Sequence, residues 1–176
     1  LAIAKRSGNT IEVRVHPTLI ANDHPLSQVN GSFNAVYLHG HACKEMMLQG
    51  RGAGDLPTAS AVVGDILHAA TVDVHVHPTF VNSANADASL VFTNDWKTRY
   101  FLRLSIQDEP GSLAKIATWL SSEQVSIATM MQKAELAGSR VPLIIITHEA
   151  NEQAIRAALA KFDPEVCTVE NMIRVE

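Results

Sequence analysis

Along residues 100–176 the apolar and polar positions recur with readable periods. Residues 100–106 alternate as a half-buried strand does. Asp108, Glu109, Pro110 and Gly111 make a turn. Leu113, Ile116, Ala117 and Leu120 then fall on one helical stripe. Residues 125–132 read as a second strand and residues 136–139 as a turn back. The run from Val141 to Thr147 is almost continuously apolar, which predicts a central strand or one buried on both faces, with Pro142 near its start. Asn151 suits the N-cap of a helix whose stripe is Ile155, Ala158, Leu159 and Phe162. Asp163 and Pro164 end that helix, and residues 167–175 form a last strand. The order β-α-β-β-α-β predicts the split-βαβ arrangement, with both helices on one face of an antiparallel sheet.

The earlier residues are less regular. Ile11, Val13 and Val15 alternate with Glu12 and Arg14, as in a half-buried strand, and Pro17 ends it. Asp23, His24, Pro25 and Leu26 read as a short turn or helix start, and Asn30-Gly31 as a turn. Residues 33–38 form a strand, His39, Gly40 and His41 a tight hairpin connection, and residues 45–49 the returning strand. A run containing Gly50, Gly52 and Gly54 follows. Residues 57–70 then read as a helix, and the spacing of Ala59, Val62, Val63, Ile66 and Leu67 predicts one buried face. The small, polar residues 82–89 mark a boundary. The fold class is therefore α+β: a mixed α/β front domain, residues 1–95, then the βαββαβ domain, residues 96–176.

Composition narrows the function. The chain is 47% hydrophobic and 18% charged, which is globular. Its net charge is −4 and its Lys and Arg are scattered, so no basic stripe awaits nucleic acid or an anionic membrane. No apolar run approaches the ~20 residues needed to span a bilayer. Cys43 and Cys167 lie far apart and make neither a disulfide framework nor a thiolate metal set, so reduced cytosolic thiols are expected. The start at Leu1, without Met and inside an apolar run, suggests a cut from a longer chain. Sheet edges left by such a cut predict self-association through the front strands, or disorder over residues 1–7.

Candidate chemistry is sparse. His39 with His41, and His75 with His77, have a spacing that suits a metal in a strand, but each pair lacks further ligands nearby and reads as turn or strand histidines. No metal site is expected. Ser60 and Ser112 stand in no nucleophile motif. Met46, Met47, Met130 and Met131 read as core or interface, and Asp65 as solvated. Gly50, Gly52 and Gly54 do not follow the G-x-G-x-x-G fingerprint. Their loop either lays backbone N–H groups against a phosphate or simply connects strand to helix. Gly111 poses the same choice: a plain turn, or a close backbone approach where a helix start favours a carboxylate such as an amino acid carries.

Two resemblances weigh on that choice. Ile106-Gln-Asp-Glu-Pro-Gly-Ser-Leu-Ala-Lys-Ile116 and Val125-Ser-Ile-Ala-Thr129, set in this element order, resemble the ACT domain, an amino-acid-binding regulatory module with a ferredoxin-like fold. The resemblance implies a ligand contacting Asp108, Gly111, Ser112, Leu113 and Ile127, often between paired modules. Many effector-binding relatives carry Gly before the second strand and Asn within it, where this chain has Gln124 and Ser126. Pure dimerisation therefore remains the alternative. The segments from Ile11 to Ile20, from Asp23 to Leu26 and from Gly50 to Asp65, with Leu1-Ala-Ile-Ala-Lys-Arg6, resemble the C-terminal part of homoserine dehydrogenase.

That family reduces aspartate 4-semialdehyde to homoserine with NADH or NADPH in threonine and methionine biosynthesis. The resemblance implies a late cofactor contact at Gly50, Gly52 and Gly54, a homo-oligomer in the cytoplasm, and feedback by threonine through the tail. The family's dinucleotide fold and catalytic Lys lie ahead of this chain's start, and Lys5 does not match that Lys. No catalytic residue is expected here, no NAD(P) is expected to stay bound, and the chain alone is expected to be inactive. A non-enzymatic amino-acid-binding regulator and a purely structural dimerisation module are the rival readings.

Overall fold

The structure is a computed structural model and describes residues 1–71, 89–132 and 140–176. Its elements in chain order are β1 (Ala2–Ser7), β2 (Thr10–Val15), β3 (Thr18–Leu19), a 3-10 turn (Pro25–Gln28), β4 (Phe33–Gly40), β5 (Lys44–Arg51), α1 (Asp55–Thr71), β6 (Val91–Thr93), β7 (Lys97–Gln107), α2 (Ser112–Ser122), β8 (Ile127–Gln132), β9 (Arg140–Thr147), β10 (Ala150–Asn151), α3 (Glu152–Ala160) and β11 (Cys167–Val175). They fall into two compact units. One is Leu1–Leu19 with Ser89–Glu176; the other is Ile20–Ala88.

The first unit is built on the expected alternation. β7 turns Thr98, Tyr100, Leu102, Leu104 and Ile106 to one face of its sheet, and β9 turns Val141, Leu143, Ile145 and Thr147 to the same face. All are buried. Ile116 and Leu120 of α2 and Ile155 and Ala158 of α3 close the core over that face. A strand period of two thus meets a helix period of 3.6. Each fully buried Leu or Ile contributes roughly 1.5–3 kcal/mol. The strand order is β3-β11-β7-β9-β8, and β11, β7, β9 and β8 are antiparallel neighbours. The βαββαβ order read from the sequence is the one observed.

Three local expectations change. β9 is central, but only one of its faces is buried; Pro142, Ile144 and Ile146 are half-exposed because both helices lie on the other side. The buried stripe of α2 runs through Ser112, Ile116 and Leu120, so Leu113 points outward and is 37% exposed. Asn151 occupies the N-cap of α3 without a capping side-chain bond. Asp95 caps the helix instead: its Oδ1 accepts from the Gln153 N–H at 2.9 Å, and its Oδ2 accepts from Asn151 Nδ2 at 2.9 Å. The Trp96 carbonyl accepts from the Glu152 N–H at 3.0 Å. The residues on either side of the expected 95/96 division therefore hold one helix start together.

Residues 1–19 also sit with the tail. β1 pairs antiparallel with β2, β6 joins β2 in parallel, and β3 lies parallel to the end of β11. Residues 2–7 are strand, where disorder was one expectation. The alternation of β2 holds, but its polarity is inverted. Val13 and Val15 face outward, while Arg14 is only 4% exposed. Its guanidinium is paired with Glu176, lies 3.4 Å from Glu12, and stacks 5.3 Å over the Trp96 ring. A charged partner, not an apolar one, waits behind this strand.

In the second unit β4 and β5 pair from Phe33↔Arg51 to Gly40↔Lys44, so the hairpin is confirmed and its connection is residues 41–43. His24 accepts from the Leu26 N–H at 3.1 Å and starts the 3-10 turn. The helix α1 starts two residues earlier than expected, and its predicted buried face is uncovered: no residue of α1 is buried, and Leu56, Val62, Val63, Ile66 and Leu67 are exposed. Among the described residues, no helix is long and apolar enough to cross a membrane.

The polar end of the tail core is organised by Glu152, which is 3% exposed. Its carboxylate accepts from Tyr100 Oη at 3.0 Å, from Arg156 Nε at 2.8 Å and from the Arg174 guanidinium. Burial alone would raise the Glu152 pKa; hydrogen bonds from Arg174, Tyr100 and Arg156 outweigh it, and the carboxyl titrates below its ordinary value of 4.5. Two predictions result. Asp95→Ala should cost about 1 kcal/mol, the usual cost of a lost N-cap, read as a lower urea midpoint of the tail. Glu152→Gln should cost about 3–5 kcal/mol at neutral pH, because it leaves the Arg174 charge buried without a counter-ion. The lowered pKa places that stabilisation above pH 4.5 and removes it as pH falls through the folded value. Denaturation curves of wild type and Glu152→Gln should therefore converge in acid.

Candidate functional site

The two candidate ligand regions lie in different units, and each stands on its own geometry. In the tail, the turn after β7 leads directly into α2. Gly111 sits at the N-cap with φ 96°, a left-handed conformation that strains any other residue. No side chain caps the helix start. The Ser112 N–H donates to the Glu109 carbonyl at 3.2 Å, so this amide is already engaged by the turn. Asp108 is exposed, and its Oδ1 accepts from Gln132 Nε2 at 3.3 Å. That bond ties the turn to β8, the second strand of the module.

The expected residues are thus partly assembled. Asp108, Gly111, Ser112 and Leu113 are contiguous by sequence. Ser112 is buried, as are Ile116 and Leu120 of the same helix. Leu113 is exposed beside Gly111 and free to meet a ligand or a second protein surface. Ile127 begins β8 and packs partly against the core. Gln132 was not a sequence candidate. It stands at the far end of β8, and only the strand pairing brings it beside Asp108.

Gln124, ahead of β8, has φ 59°, the left-handed region. The backbone at this turn has the conformation that glycine holds without strain, with a side chain built onto it.

In the other unit, Gly50 lies in β5 opposite Asn34, with open space around it. A Cβ on Gly52 would stand 1.6 Å from Asn34 Nδ2, so the exposed Asn34 side chain would have to swing away from it. Its N–H donates to the Ser32 carbonyl at 3.0 Å. Gly54 has φ 118°, and its carbonyl accepts from the Thr58 N–H at 3.1 Å, opening α1. Gly52 and Gly54 are therefore fixed by the loop itself. Gly50 is the one of the three that local packing leaves free.

Among the described residues, no group of three or more His, Cys, Asp or Glu could hold a metal ion. His39 lies opposite Glu45 in the hairpin, and His75 and His77 lie outside the described residues. Cys167 is buried and its thiol is pushed up to about 11 by desolvation, so it stays protonated at neutral pH.

Comparison with known proteins bears on both regions. The homoserine dehydrogenase family profile matches residues 1–67. A homoserine dehydrogenase from Corynebacterium glutamicum is 37% identical over 174 residues, covering 98% of this chain and 39% of the relative. One from Pseudomonas aeruginosa is 39% identical over 170 residues, covering 93% of this chain and 39% of the relative. The crystal structure of a homoserine dehydrogenase from Thiobacillus denitrificans superposes with a TM-score of 0.77 at 35% identity, covering 99% of this chain and 41% of that one. This chain spans about two-fifths of the length of such relatives.

The strain at Gln124 gives a direct test. Gln124→Gly should stabilise the tail by about 0.5–1 kcal/mol, since relief of the left-handed conformation outweighs the entropy glycine adds to the unfolded chain. An increased urea midpoint with an unchanged m-value is the expected reading.

Proposed function

The chain matches the C-terminal portion of the homoserine dehydrogenase family along nearly its whole length, and from that premise we propose that it is the regulatory end of such an enzyme. The whole enzyme reduces L-aspartate 4-semialdehyde to L-homoserine with NADH or NADPH in the cytoplasm. This portion contributes the late glycine loop, with Gly50, Gly52 and Gly54 beside the cofactor. The groups that carry out hydride transfer lie in the rest of the enzyme, and this portion alone is inactive. Residues 1–95 are the end of the substrate and dimerisation domain, and residues 96–176 are an ACT regulatory domain.

The observation that best supports this reading is where apolar surface is left uncovered. After Trp96 only Leu113, Met130, Met131 and Val169 are exposed among the large apolar side chains described, whereas before it both β2 and α1 present apolar faces to solvent. Uncovered faces of this kind belong to an element that packs on more protein. The tail needs no such cover, as a self-contained regulatory module should not.

In the tail, the ligand is a small amino acid, threonine by the family's pattern. Its carboxylate lies at the Gly111 turn and the start of α2, where the helix dipole favours negative charge. Asp108, Ser112, Leu113 and Ile127 shape that site, and a homo-oligomer pairs two modules across it. One observation favours a second reading, in which the tail only pairs chains: Gln124 and Ser126 stand where effector-binding relatives often have Gly and Asn, and the Ser112 amide is already bonded to Glu109.

Thermal unfolding with threonine, isoleucine, methionine and serine decides between them. A ligand at a hundred times its Kd should add about 2.7 kcal/mol to the tail's stability. A shift with threonine that Gly111→Ala abolishes, while the variant stays folded, supports the sensing role. No shift with any of the four, with a concentration-dependent dimer by sedimentation, supports pairing alone.

A further inference from the structure

The side chain of Arg14 is 1% exposed, although it lies on a strand that precedes the tail by some eighty residues of sequence. Its guanidinium pairs with Glu176, which directly follows β11, and Glu12 stands 3.4 Å away. Trp96 lies beneath it at 5.3 Å, and His16 stacks on the same ring at 6.1 Å between centroids. Around this pair the backbone is stitched as well. The Glu176 N–H donates to the Leu19 carbonyl at 3.0 Å, and Thr98 Oγ1 donates to the Val175 carbonyl at 2.9 Å. Lys5 on β1 reaches the same Glu176 carboxylate at 2.9 Å.

We propose that the Arg14–Glu176 pair is an all-or-none latch that docks β1, β2 and β3 onto the end of the tail sheet. Among the described residues, Arg14 hydrogen-bonds through Nη2 to Glu176, with Glu12 the other carboxylate in reach, while its buried Nε and Nη1 have no hydrogen-bond partner, so the guanidinium has no further bond to give up while it stays on the Trp96 ring. Either Arg14 keeps its carboxylate, or β2 leaves and Arg14 returns to water. Packed elements of this kind have two discrete positions, not a continuum.

The polypeptide passes into the unit carrying Gly50, Gly52 and Gly54 just after Leu19, and returns just before Ser89. Leu19 ends β3, which is paired with β11. Ser89 precedes β6, which is paired with β2. Release of β2 therefore loosens β1 and β6, the strands paired with it, from the tail. This gives the regulatory reading above a physical route, and it rests on that reading only for the ligand that would drive it.

Hydrogen exchange on the full 176-residue chain tests the latch. Glu176→Gln should lose at least tenfold protection at the amides of β1, β2 and β6, with β7 and β9 unchanged. Arg14→Met should keep most of that protection, because an apolar side chain can stay against Trp96 without a partner. Adding Glu176→Gln to Arg14→Met should then have little further effect. Unchanged exchange in Glu176→Gln, or an equal loss in every element, would overturn the proposal. So would a loss in Arg14→Met as large as in Glu176→Gln. In the same experiment threonine serves as the probe ligand. If it raises the melting temperature, it should alter exchange over residues 1–19 in wild type and not in Arg14→Met. A thermal shift with no change there would count against the latch as a route. If no amino acid shifts the melting temperature, the sensing reading fails, and the Glu176→Gln comparison alone decides the latch.

Discussion

Glu152 is a carboxylate buried at the start of α3, and the polar end of the tail is arranged around it. A buried charge is tolerated only when its lone pairs are filled, and here Tyr100, Arg156 and Arg174 fill them. Those donors come from β7, α3 and β11. One group thus fixes the angle of a helix against two strands. The same end of the sheet carries Thr98 and Glu176, and onto these the first strands of the chain are tied. The apolar core of Leu102, Leu104, Leu143 and Ile145 gives the tail its stability. Its polar end decides what else can attach to it.

That attachment explains the inverted polarity of β2. In an ordinary half-buried strand the apolar side faces the core. Here the buried side carries Arg14, because the surface it meets offers carboxylates and an indole ring. Val13 and Val15 are left outward, as are the apolar residues of α1. Among the described residues these apolar side chains are uncovered, and this chain spans about two-fifths of the length of its relatives.

The two glycine-bearing loops need their glycines for different reasons. Gly111 and Gly54 hold left-handed backbone, and Gly52 makes room for Asn34. Gly50 answers to neither constraint. A sequence pattern treats the glycines of one loop alike, and geometry separates them. Gln124 shows the converse: it holds left-handed backbone with a side chain built onto it.

The sequence by itself determined the tail's element order, its strand faces and most of its helix stripes, because alternation and 3.6-residue periodicity act locally. It also carried the family resemblance, and it placed the turn at Asp108 to Gly111. Tertiary structure decided the rest. It brought the Asp95 carboxylate to the start of α3, whose N-cap residue Asn151 makes no capping side-chain bond, since a capping group can come from fifty-eight residues away when the fold brings it there. It brought Gln132 to Asp108 through strand pairing. It gave β1, β2 and β3 to the tail, through an ion pair between Arg14 and Glu176 that no window of sequence contains. The sign of a strand's buried face depends on what lies behind it, and that partner is a property of the fold, not of the strand.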